Sequence, residues 1–427
     1  MTPKTKKKIE QIQNCETPNS YKLTDAGILP NDWNYAKLSD ISEQITQTAG
    51  TEKYETVSIS AGIGFVNQAK KFGKELSGKQ YAKYTVLHKG DYSYNKGNSK
   101  KYPQGCVYRL KDRETAAVPN VFESFRITTG CAEYYDQLFV SGYLNHQLYR
   151  LINHGVRDDG LLNLTHKDFY SCWLPVPPLS EQEKIAKILS TQDKVIECYE
   201  KKIEQLRLMK KYYLQNMFPN RGETVPKIRF KGFTDAWEQR KISELGKIVT
   251  GSTPPTTKSE YYSDDGFPWV TPTDIESNTI SDSPRKLSDE GAKVARVVPA
   301  NTILCTCIAS IGKNTLLTVK GSFNQQINGL TPYEDNNSYF LLTESEIWSN
   351  HMKQMAASGT MQIVNKTEFS EMLTMIPKYE EQKQIGDYFR TLDHLITLHQ
   401  RSCKEEKKKK KALQQLLLTG IIRTNEL

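Results

Sequence analysis

Residues 177–185 read PPLSEQEKI, a proline turn that leads directly into a long run of heptad-spaced apolar residues. Only Gln192 and Lys210 interrupt the spacing. Alternating steps of four and three are typical of a coiled-coil seam, and here they connect Ile185, Leu189, Ile196, Tyr199, Ile203, Leu206, Tyr213 and Met217. The pattern predicts one helix of about ten turns that ends near Phe218.

The same arrangement returns 200 residues later, where residues 377–385 read PKYEEQKQI. The second seam is weakened by His399, Glu406 and Lys410, and it consists of Ile385, Phe389, Leu392, Ile396, Cys403, Leu413 and Leu417. The repeat also precedes the helices, because Trp33 with residues 37–41 is matched by Trp237 with residues 241–245. The sequence therefore predicts two half-molecules in tandem, each with a globular domain, a proline turn and a long helix.

The repeat gives the predicted domain boundaries. A polar tail over residues 1–20, disordered or docked late, precedes a first mixed α/β domain over 21–173 and a helical segment over 174–219. A second mixed domain covers 220–374, and a second helical segment covers 375–427. In the first domain, residues 135–152 carry the clearest helical pattern. An alternative is that the two helices only staple duplicated domains together.

The order of these pieces resembles the specificity (S) subunit of Type I restriction-modification systems, from about Tyr21 to the end of the chain. The resemblance implies an α+β fold with two tandem target recognition domains, an internal pseudo-twofold repeat, and two long helices paired as an antiparallel coiled coil. Each domain would read one half of a bipartite, asymmetric site in double-stranded DNA. The second copy departs from the motif, with Lys378-Tyr379 where Pro178-Leu179 stand in the first.

The resemblance also implies partners. Two modification (methyltransferase) subunits would dock on the helical segments, and ATP-dependent restriction (translocase and nuclease) subunits would join them. S-adenosylmethionine, ATP and Mg²⁺ would act in those partners, with no cofactor in this chain. The implied partner-binding residues are Glu181, Gln182, Ile185, Glu381, Gln382 and Ile385. For the two Glu-Gln pairs, capping of the helix dipole after the proline turn is an equally simple explanation.

Composition sets broad limits. The chain has 427 residues, a formal net charge of +9, and 37% hydrophobic against 25% charged residues, which is ordinary for a globular protein. No apolar run is long enough to span a membrane, and the lysine-rich start lacks the apolar core of a signal peptide. We therefore expect a cytoplasmic protein without membrane contact. The positive charge permits an anionic partner.

A basic stretch lies in the first domain, where nine lysines between Lys70 and Lys101 face only Glu75 and Asp91. Five tyrosines are interleaved with them, a mixture that suits phosphate contact and base stacking. Within it, residues 90–102 (GDYSYNKGNSKKY) look like a strand and loop of a target recognition domain. The DNA-binding candidates are Tyr92, Tyr94, Asn95, Lys96, Asn98, Lys100, Lys101 and Tyr102. The alternative is a solvated lysine-rich surface with tyrosines partly in the core.

The second domain carries its family-like pieces in separate places, and they supply neutral donors more than charge. The candidates are Ser252, Thr253, Thr271, Thr273, Ser310, Lys313, Asn324 and Gln325. From 246 to 373 there are ten Lys and Arg against fourteen Asp and Glu, so DNA contact would depend on a local cluster. Residue by residue, turn capping and sheet-edge bonding explain the threonines and amides better than DNA contact does.

Catalytic motifs are missing from the sequence. The segment Ser310–Asn314 resembles the end of a phosphate loop, but Cys307 stands where a glycine is needed and Asn314 where Ser or Thr is needed. We see no catalytic residues and no metal-ligand pattern, and therefore expect a non-enzymatic DNA-recognition and scaffolding subunit. The alternatives are a methyltransferase or nuclease with a divergent active site, and a coiled-coil adaptor without a DNA role.

Overall fold

The computed structural model describes residues 3–14, 16–24, 27–74, 77–97, 101–153, 161–358 and 363–426. The chain divides into two compact units. The first unit consists of Met1–Cys198 and Cys403–Leu427, and the second consists of Tyr199–Ser402. Each unit therefore contains one part of each long helix.

The first unit contains most of the short elements before the first long helix. Its helices are α1 (Pro3–Gln13), α2 (Leu38–Ile41), α3 (Gln68–Phe72), α4 (Ala132–Val140), α5 (Asn145–Leu151) and α6 (His166–Tyr170). Its strands are β1 (Tyr21–Thr24), β2 (Gly27–Pro30), β3 (Asn34–Lys37), β4 (Ser42–Gln44), β5 (Val57–Ser60), β6 (Gly64–Asn67), β7 (Thr85–His88), β8 (Tyr92–Asn95), β9 (Cys106–Arg109), β10 (Thr115–Val118), β11 (Glu123–Ile127) and β12 (Trp173–Val176). The first long helix, α7 (Leu179–Asn216), follows the proline turn.

The core of the first unit lies between a sheet and the helices that cover it. The sheet has the strand order β4-β11-β8-β9 and is antiparallel throughout. Tyr92 stacks on Phe125, and Tyr94 stacks on Phe169 of α6. A separate pair, β3 with β12, joins the start of the domain to its end, so the chain leaves for α7 beside the point where it entered.

The second unit repeats this frame with its own loops. Its strands are β13 (Glu238–Lys241), β14 (Gly246–Thr250), β15 (Tyr262–Val270), β16 (Thr279–Ile280), β17 (Lys286–Leu287), β18 (Thr302–Thr306), β19 (Asn314–Leu317), β20 (Ser322–Phe323), β21 (Ile327–Pro332) and β22 (Leu373–Ile376). Its helices are α8 (Asp289–Val294), α9 (Ser338–Ser358) and α10 (Lys366–Glu371), followed by the second long helix α11 (Tyr379–Leu418).

The internal repeat is confirmed by topology. The sheet order β14-β21-β18-β19-β16 reproduces that of the first unit over its first four strands, and β13 pairs with β22 as β3 pairs with β12.

The two long helices pair antiparallel within each unit. In the first unit Lys410 contacts Asp193, and in the second unit Lys210 contacts Asp393 and Tyr213 packs on Tyr388. Residue numbers thus fall along one helix as they rise along the other.

Of the two alternatives for the tail over residues 1–20, its described part shows the docked one, because α1 forms and Lys8 pairs with Glu426 at 2.8 Å. The prediction of a single helix over residues 135–152 is wrong, since α4 ends at Val140 and α5 begins at Asn145. The break contains Gly142 at φ +79°, a backbone conformation that a helix cannot include.

In the described part of the chain, no helix is long and apolar enough to cross a membrane.

Candidate nucleic-acid interface

Loops from four separate parts of the second unit meet at one end of its five-stranded sheet. The strands β14, β21, β18 and β19 are neighbours in that order, and each runs antiparallel to the next. The ends of β14 and β18 therefore lie beside the starts of β21 and β19. This places residues 251–255, 307–313 and 324–326 side by side. Residues 271–274 join them, because β15 runs parallel to β20 and both strands end at this edge. The sheet therefore gathers segments that lie far apart in sequence.

Hydrogen bonds tie these loops to one another. The Ser252 amide donates to the Phe323 carbonyl at 2.9 Å, and the Asn324 amide donates to the Val270 carbonyl at 3.0 Å. The Thr253 hydroxyl donates to the Gln325 side chain. The Lys313 amine donates to the Pro272 carbonyl at 3.2 Å. The sequence-predicted residues of the second domain are thus brought to one surface: Ser252, Thr253, Thr271, Thr273, Ser310, Lys313, Asn324 and Gln325.

These residues divide into exposed groups and supporting groups. Thr253, Thr273, Ser310, Lys313 and Gln325 are exposed and present hydroxyl, amide and amine groups to the surroundings. Asn324, in contrast, is 9% exposed, and its side chain accepts from the Gln326 amide at 3.0 Å. Thr271 donates to the Asp274 carboxylate at 2.7 Å, which closes its own turn. For Asn324 and Thr271, the turn-capping interpretation therefore describes the contacts made.

Arg296 belongs to the same surface and was missed by sequence reasoning. Its side chain is exposed, its guanidinium donates to the Thr250 carbonyl at 2.8 Å, and its amide donates to the Ser252 hydroxyl at 2.9 Å. Nothing in the local sequence marks it, because the contact spans 44 residues. Arg285 lies over the rings of Tyr262 and Trp269, which fixes a second exposed cation on a rigid aromatic support.

In the first unit, the corresponding end of the sheet carries the loop between β8 and β9. Its exposed Lys101 lies over the ring of Tyr102, with the amine 5.7 Å from the ring centroid. The tip of the β5–β6 hairpin lies beside it, because the Gly62 amide donates to the Tyr108 hydroxyl at 2.8 Å. A cation, aromatic hydroxyls and a glycine tip thus share this edge.

Further lysines of the basic stretch are exposed. Five of them make no ion pair with any described residue: Lys70, Lys71, Lys74, Lys79 and Lys83. Lys89 differs, because its amine lies 2.8 Å from the Glu114 carboxylate. These lysines form an exposed cationic surface over α3 and the 3₁₀ turn Gly78–Lys83, and its contact with DNA stays a prediction.

Tyr92 and Tyr94 are not surface residues, which corrects the prediction that they contact DNA. Both side chains are 0% exposed. The Tyr92 hydroxyl donates to the Ala132 carbonyl at 2.6 Å, and the Tyr94 hydroxyl donates to the Gln104 carbonyl at 2.8 Å. Burial raises the pKa of both phenols well above the ordinary value. They belong to the core that supports the loop.

Asn95 and Lys96 are also occupied within the chain. The Asn95 side-chain oxygen accepts from the Gly97 backbone amide at 2.8 Å and so shapes the start of the loop. The Lys96 amine lies 2.5 Å from the Glu123 carboxylate, which also bonds His166 at 2.8 Å. In this structure both side chains bond groups of the same chain, and DNA contact by Asn95 and Lys96 stays a prediction. Asn98 and Lys100 lie outside the described residues.

The predicted partner-binding residues are buried. Glu181 is 7% exposed and Glu381 is 1% exposed. Their carboxylates accept hydrogen bonds from guanidinium groups of the same chain. Glu181 accepts from Arg423 at 2.6 Å and from the Trp33 indole at 3.0 Å. Glu381 accepts from Arg229 at 2.7 Å. Neither carboxylate can dock a partner in this state.

The glutamines beside them have matching structural roles. Gln182 accepts from the Cys131 amide at 2.8 Å, and Gln382 accepts from the Asn337 amide at 2.9 Å. Each also donates to the carbonyl of the first proline in its turn, Pro177 or Pro377. Ile185 and Ile385 are buried as well, at 0% and 2%. The Glu-Gln motif therefore fastens each globular domain to its helix, which replaces both capping and docking as its explanation.

Comparison with known proteins gives the family. Residues 30–208 and 234–406 match the Type I restriction modification DNA specificity domain. The putative type I restriction enzyme MjaX specificity subunit of Methanocaldococcus jannaschii is 24% identical over an alignment of 432 positions, which covers 95% of this chain and 97% of that protein. The type I restriction enzyme HindI specificity subunit of Haemophilus influenzae is 28% identical over 171 residues, 38% of this chain and 37% of that protein.

Solved structures share the fold. The S subunit of a Type-I restriction-modification system from M. genitalium superimposes with a TM-score of 0.61 at 14% identity, over 94% of this chain and 98% of that one. A chain from a study of complex assembly and conformational transition in a type I R-M system gives a TM-score of 0.53 at 16% identity, over 92% and 99%. At these identities the likeness establishes the architecture.

Proposed function

Because the chain belongs to the Type I restriction-modification DNA specificity family, in which it is a specificity subunit that recognises DNA, we propose that the two loop-bearing sheet ends are its DNA-reading surfaces. Each would contact one half of a bipartite site in double-stranded DNA. The first would contribute mainly charge from Lys101 and its lysine-rich surroundings. The second would contribute neutral hydrogen-bonding groups with a few cations.

One observation carries this proposal. Four segments of the second domain that look family-like in sequence are assembled by the sheet into one exposed surface. Hydroxyl and amide groups held on a rigid sheet can pair with base edges in the major groove, because each base pair presents its own set of donors and acceptors. Lys313, Arg296 and Arg285 would neutralise phosphates beside them.

The salt dependence of DNA binding tests the first surface. Lys101→Ala should weaken binding and reduce the slope of log K against log salt by about 0.9, the value for one lost phosphate contact. Lys89→Ala is the matched control, since Lys89 is an exposed lysine already paired with Glu114. Fluorescence anisotropy of a labelled duplex at several salt concentrations measures both. If the Lys101 variant kept the slope of the unaltered chain, the loop would have no phosphate contact.

The chemistry of the complex would belong to partner subunits. We propose that this chain is not catalytic, that two modification subunits supply S-adenosylmethionine-dependent methyl transfer, and that restriction subunits supply cleavage with ATP and Mg²⁺. The sequence contains no recognisable methyltransferase or nuclease motif to support the divergent-enzyme alternative. Binding of duplex DNA by the chain would distinguish a DNA-recognition subunit from an adaptor that binds proteins alone.

The structure supports a different docking surface from the one expected. Leu179 and Tyr379 occupy the same position in the two repeats, directly after the proline turns, and their side chains are 55% and 40% exposed. Apolar side chains that stay exposed at the same place in both repeats are available for contact with a partner. We therefore assign modification-subunit docking to the first turn of each long helix, beside the buried Glu-Gln pairs.

Assembly and methyl transfer test this assignment together. Duplex DNA should acquire methyl groups from labelled S-adenosylmethionine only when modification subunits are added. The double variant Leu179→Ser, Tyr379→Ser should lower the number of bound modification subunits, measured by analytical ultracentrifugation. Leu23→Ser is the control, because Leu23 is 74% exposed and belongs to strand β1, not to either long helix. Methyl transfer by the chain alone would instead favour the divergent enzyme.

A further inference from the structure

A cavity of about 320 Å³ lies in the second unit, away from the sheet end described above. Four parts of the chain line it: residues 219–224, residues 237 and 239, residues 344–351 of α9, and residues 373–375 of β22. Its volume falls in the range of small-molecule sites, which begins at about 300 Å³. DNA recognition as proposed above makes no use of it.

A buried carboxyl group lines this cavity. Glu344 is 4% exposed, and its Oε1 accepts from the Thr374 hydroxyl, which itself accepts from the Trp348 indole at 2.9 Å. Its Oε2 has no hydrogen-bond partner among the described residues. Burial raises the pKa of Glu344 to about 8, against which the bond from Thr374 acts only in part. A buried acceptor without a partner is costly and calls for an explanation.

A second residue that lines the cavity, Trp237, also carries a polar atom without a hydrogen-bond partner among the residues that the structure describes. Trp237 is 2% exposed, and its Nε1 has no partner in the described part of the chain. The equivalent Trp33 in the first unit donates from Nε1 to Glu181 at 3.0 Å. The repeat thus satisfies this indole in one unit and leaves it unsatisfied in the other.

The first unit has apolar residues at the corresponding positions. Cys131 and Asn337 are equivalent, because each donates its amide to the glutamine of its Glu-Gln motif. Seven positions later stand Leu138 in the first unit and Glu344 in the second. Leu174 stands in β12 where Thr374 stands in β22. Both leucines are 0% exposed. The polar pair Glu344 and Thr374 is therefore specific to the second unit and is not part of the repeat.

We infer that this cavity binds a small organic cation with a guanidinium head group, which pairs with Glu344 and packs against the indole rings of Trp237 and Trp348. Tryptophan is the best aromatic partner for a cation. A guanidinium is planar and more weakly hydrated than an ammonium, so it loses less on entering a site walled by aromatic rings. A carbonyl oxygen on the same ligand would accept from the Trp237 indole.

Binding of a cation at this site should release a proton, which can be measured. The other charged or titratable groups that line the cavity are Arg221, Glu223 and His351, all exposed. Glu344 has to ionise before it pairs with a cation, so at pH 7 binding should release close to one proton. Above about pH 8 the carboxyl ionises unaided, and the release should fall while the affinity rises.

Calorimetry with a matched pair of ligands tests the inference. The full chain is titrated with argininamide and with citrullinamide, its uncharged urea counterpart, in two buffers of different ionisation enthalpy at constant ionic strength. We expect argininamide to bind at least tenfold more tightly and to release a proton. Equal binding of the two, or no binding of argininamide, would overturn the inference.

Substitution of the carboxyl group completes the test. Glu344→Gln keeps an acceptor for Thr374 but cannot ionise, so it should abolish both the preference for argininamide and the proton release. Glu334→Gln, an exposed glutamate outside the cavity, is the control. Glu344→Leu copies the first unit, and a thermal melt shows whether either variant is folded. Unchanged argininamide binding in folded Gln and Leu variants would contradict the assignment.

Discussion

At the scale of single residues, Glu181 joins three parts of the first unit. Its carboxylate receives the guanidinium of Arg423 and the indole of Trp33, residues that lie 242 and 148 positions away in sequence. Burial alone would raise the pKa of Glu181, but the bonds from Arg423 and Trp33 outweigh it and hold the pKa below the ordinary value. The folded state therefore stabilises the charged carboxylate.

The change Glu181→Gln should lower the free energy of unfolding by about 1.5–3 kcal/mol at pH 7, because Arg423 loses its buried partner and keeps only the more exposed carboxylate of Asp32. A carboxyl whose pKa is depressed by folding contributes stability above its unfolded pKa of about 4.3 and loses that contribution as pH falls through the folded value. The variant should therefore lose less stability than the unaltered chain between pH 7 and pH 3.

Urea unfolding followed by tryptophan fluorescence across that pH range measures both effects. Glu183→Gln is the control, since Glu183 is exposed on the same helix turn. Equal urea midpoints for the Glu181 and Glu183 variants would mean that the Arg423 pair contributes nothing to stability.

The sequence predicted where these residues matter but not how. The Glu-Gln repeat was visible, whereas its partners Arg423 and Arg229 were not, because nothing local connects them to the motif. Tyr92 and Tyr94 looked like surface tyrosines among lysines. Ser93 between them is also 0% exposed, so the strand is covered on both faces and alternation gives no signal.

At the scale of elements, the polar residues that interrupt the helical seam bond across it. Lys210 of α7 lies 2.8 Å from Asp393 and 2.7 Å from Glu346 in the second unit. Lys410 of α11 pairs with Asp193 in the first unit. Burial alone would lower the pKa of Lys210, but its two carboxylate neighbours raise it above the ordinary value. The repeat thus places one lysine–aspartate pair in each unit.

The two pairs should differ in strength. Lys210→Met should cost about 3 kcal/mol, because both Lys210 and Asp393 are enclosed, at 15% and 12% side-chain exposure. Lys410→Met should cost about 1 kcal/mol or less, since Asp193 is 46% exposed and can be solvated when its partner is lost.

Each variant is thus the matched control of the other, and thermal unfolding of both ranks them. Equal losses, or a larger loss for the Lys410 variant, would contradict the burial argument. Restoring stability in the double variant Lys210→Met, Asp393→Leu would show that the cost comes from the carboxylate left behind.

Long elements were predictable and short ones were not. The heptad pattern predicted both long helices to within a few residues, because eight seam positions in the first and seven in the second repeat one signal. The single helix expected over 135–152 failed at one residue, Gly142, whose left-handed backbone makes a turn between α4 and α5. A glycine inside a periodic run can be tolerated or can end the helix, and only packing decides.

At the scale of the whole molecule, one frame carries two chemically different surfaces that we propose to read DNA. The first surface has Lys101 and solvated lysines, whereas the second has Thr253, Gln325 and a few cations within an acidic domain. The frame could be predicted from the repeat in sequence. The composition of each surface could not, because it depends on which loops the sheet brings together, such as Arg296 beside Ser252.

This difference predicts two unlike half-sites that change independently. The double variant Thr253→Ala, Gln325→Ala removes two exposed groups that bond each other and can pair with base edges, so it should relax base preference in one half-site only. Each lost base contact should reduce discrimination there by about 1–3 kcal/mol. Lys101→Ala should weaken binding without relaxing either half-site, since phosphate contacts carry no sequence information.

Selection of bound duplexes from a library randomised at both half-sites, followed by sequencing, separates these outcomes. The control variant Lys89→Ala should recover the same two half-sites as the unaltered chain. If the Thr253 and Gln325 changes altered both half-sites together, the second surface would act by positioning the DNA. If they altered neither, direct readout would have to lie with the remaining groups of that edge, Thr273, Ser310, Lys313 and Arg296.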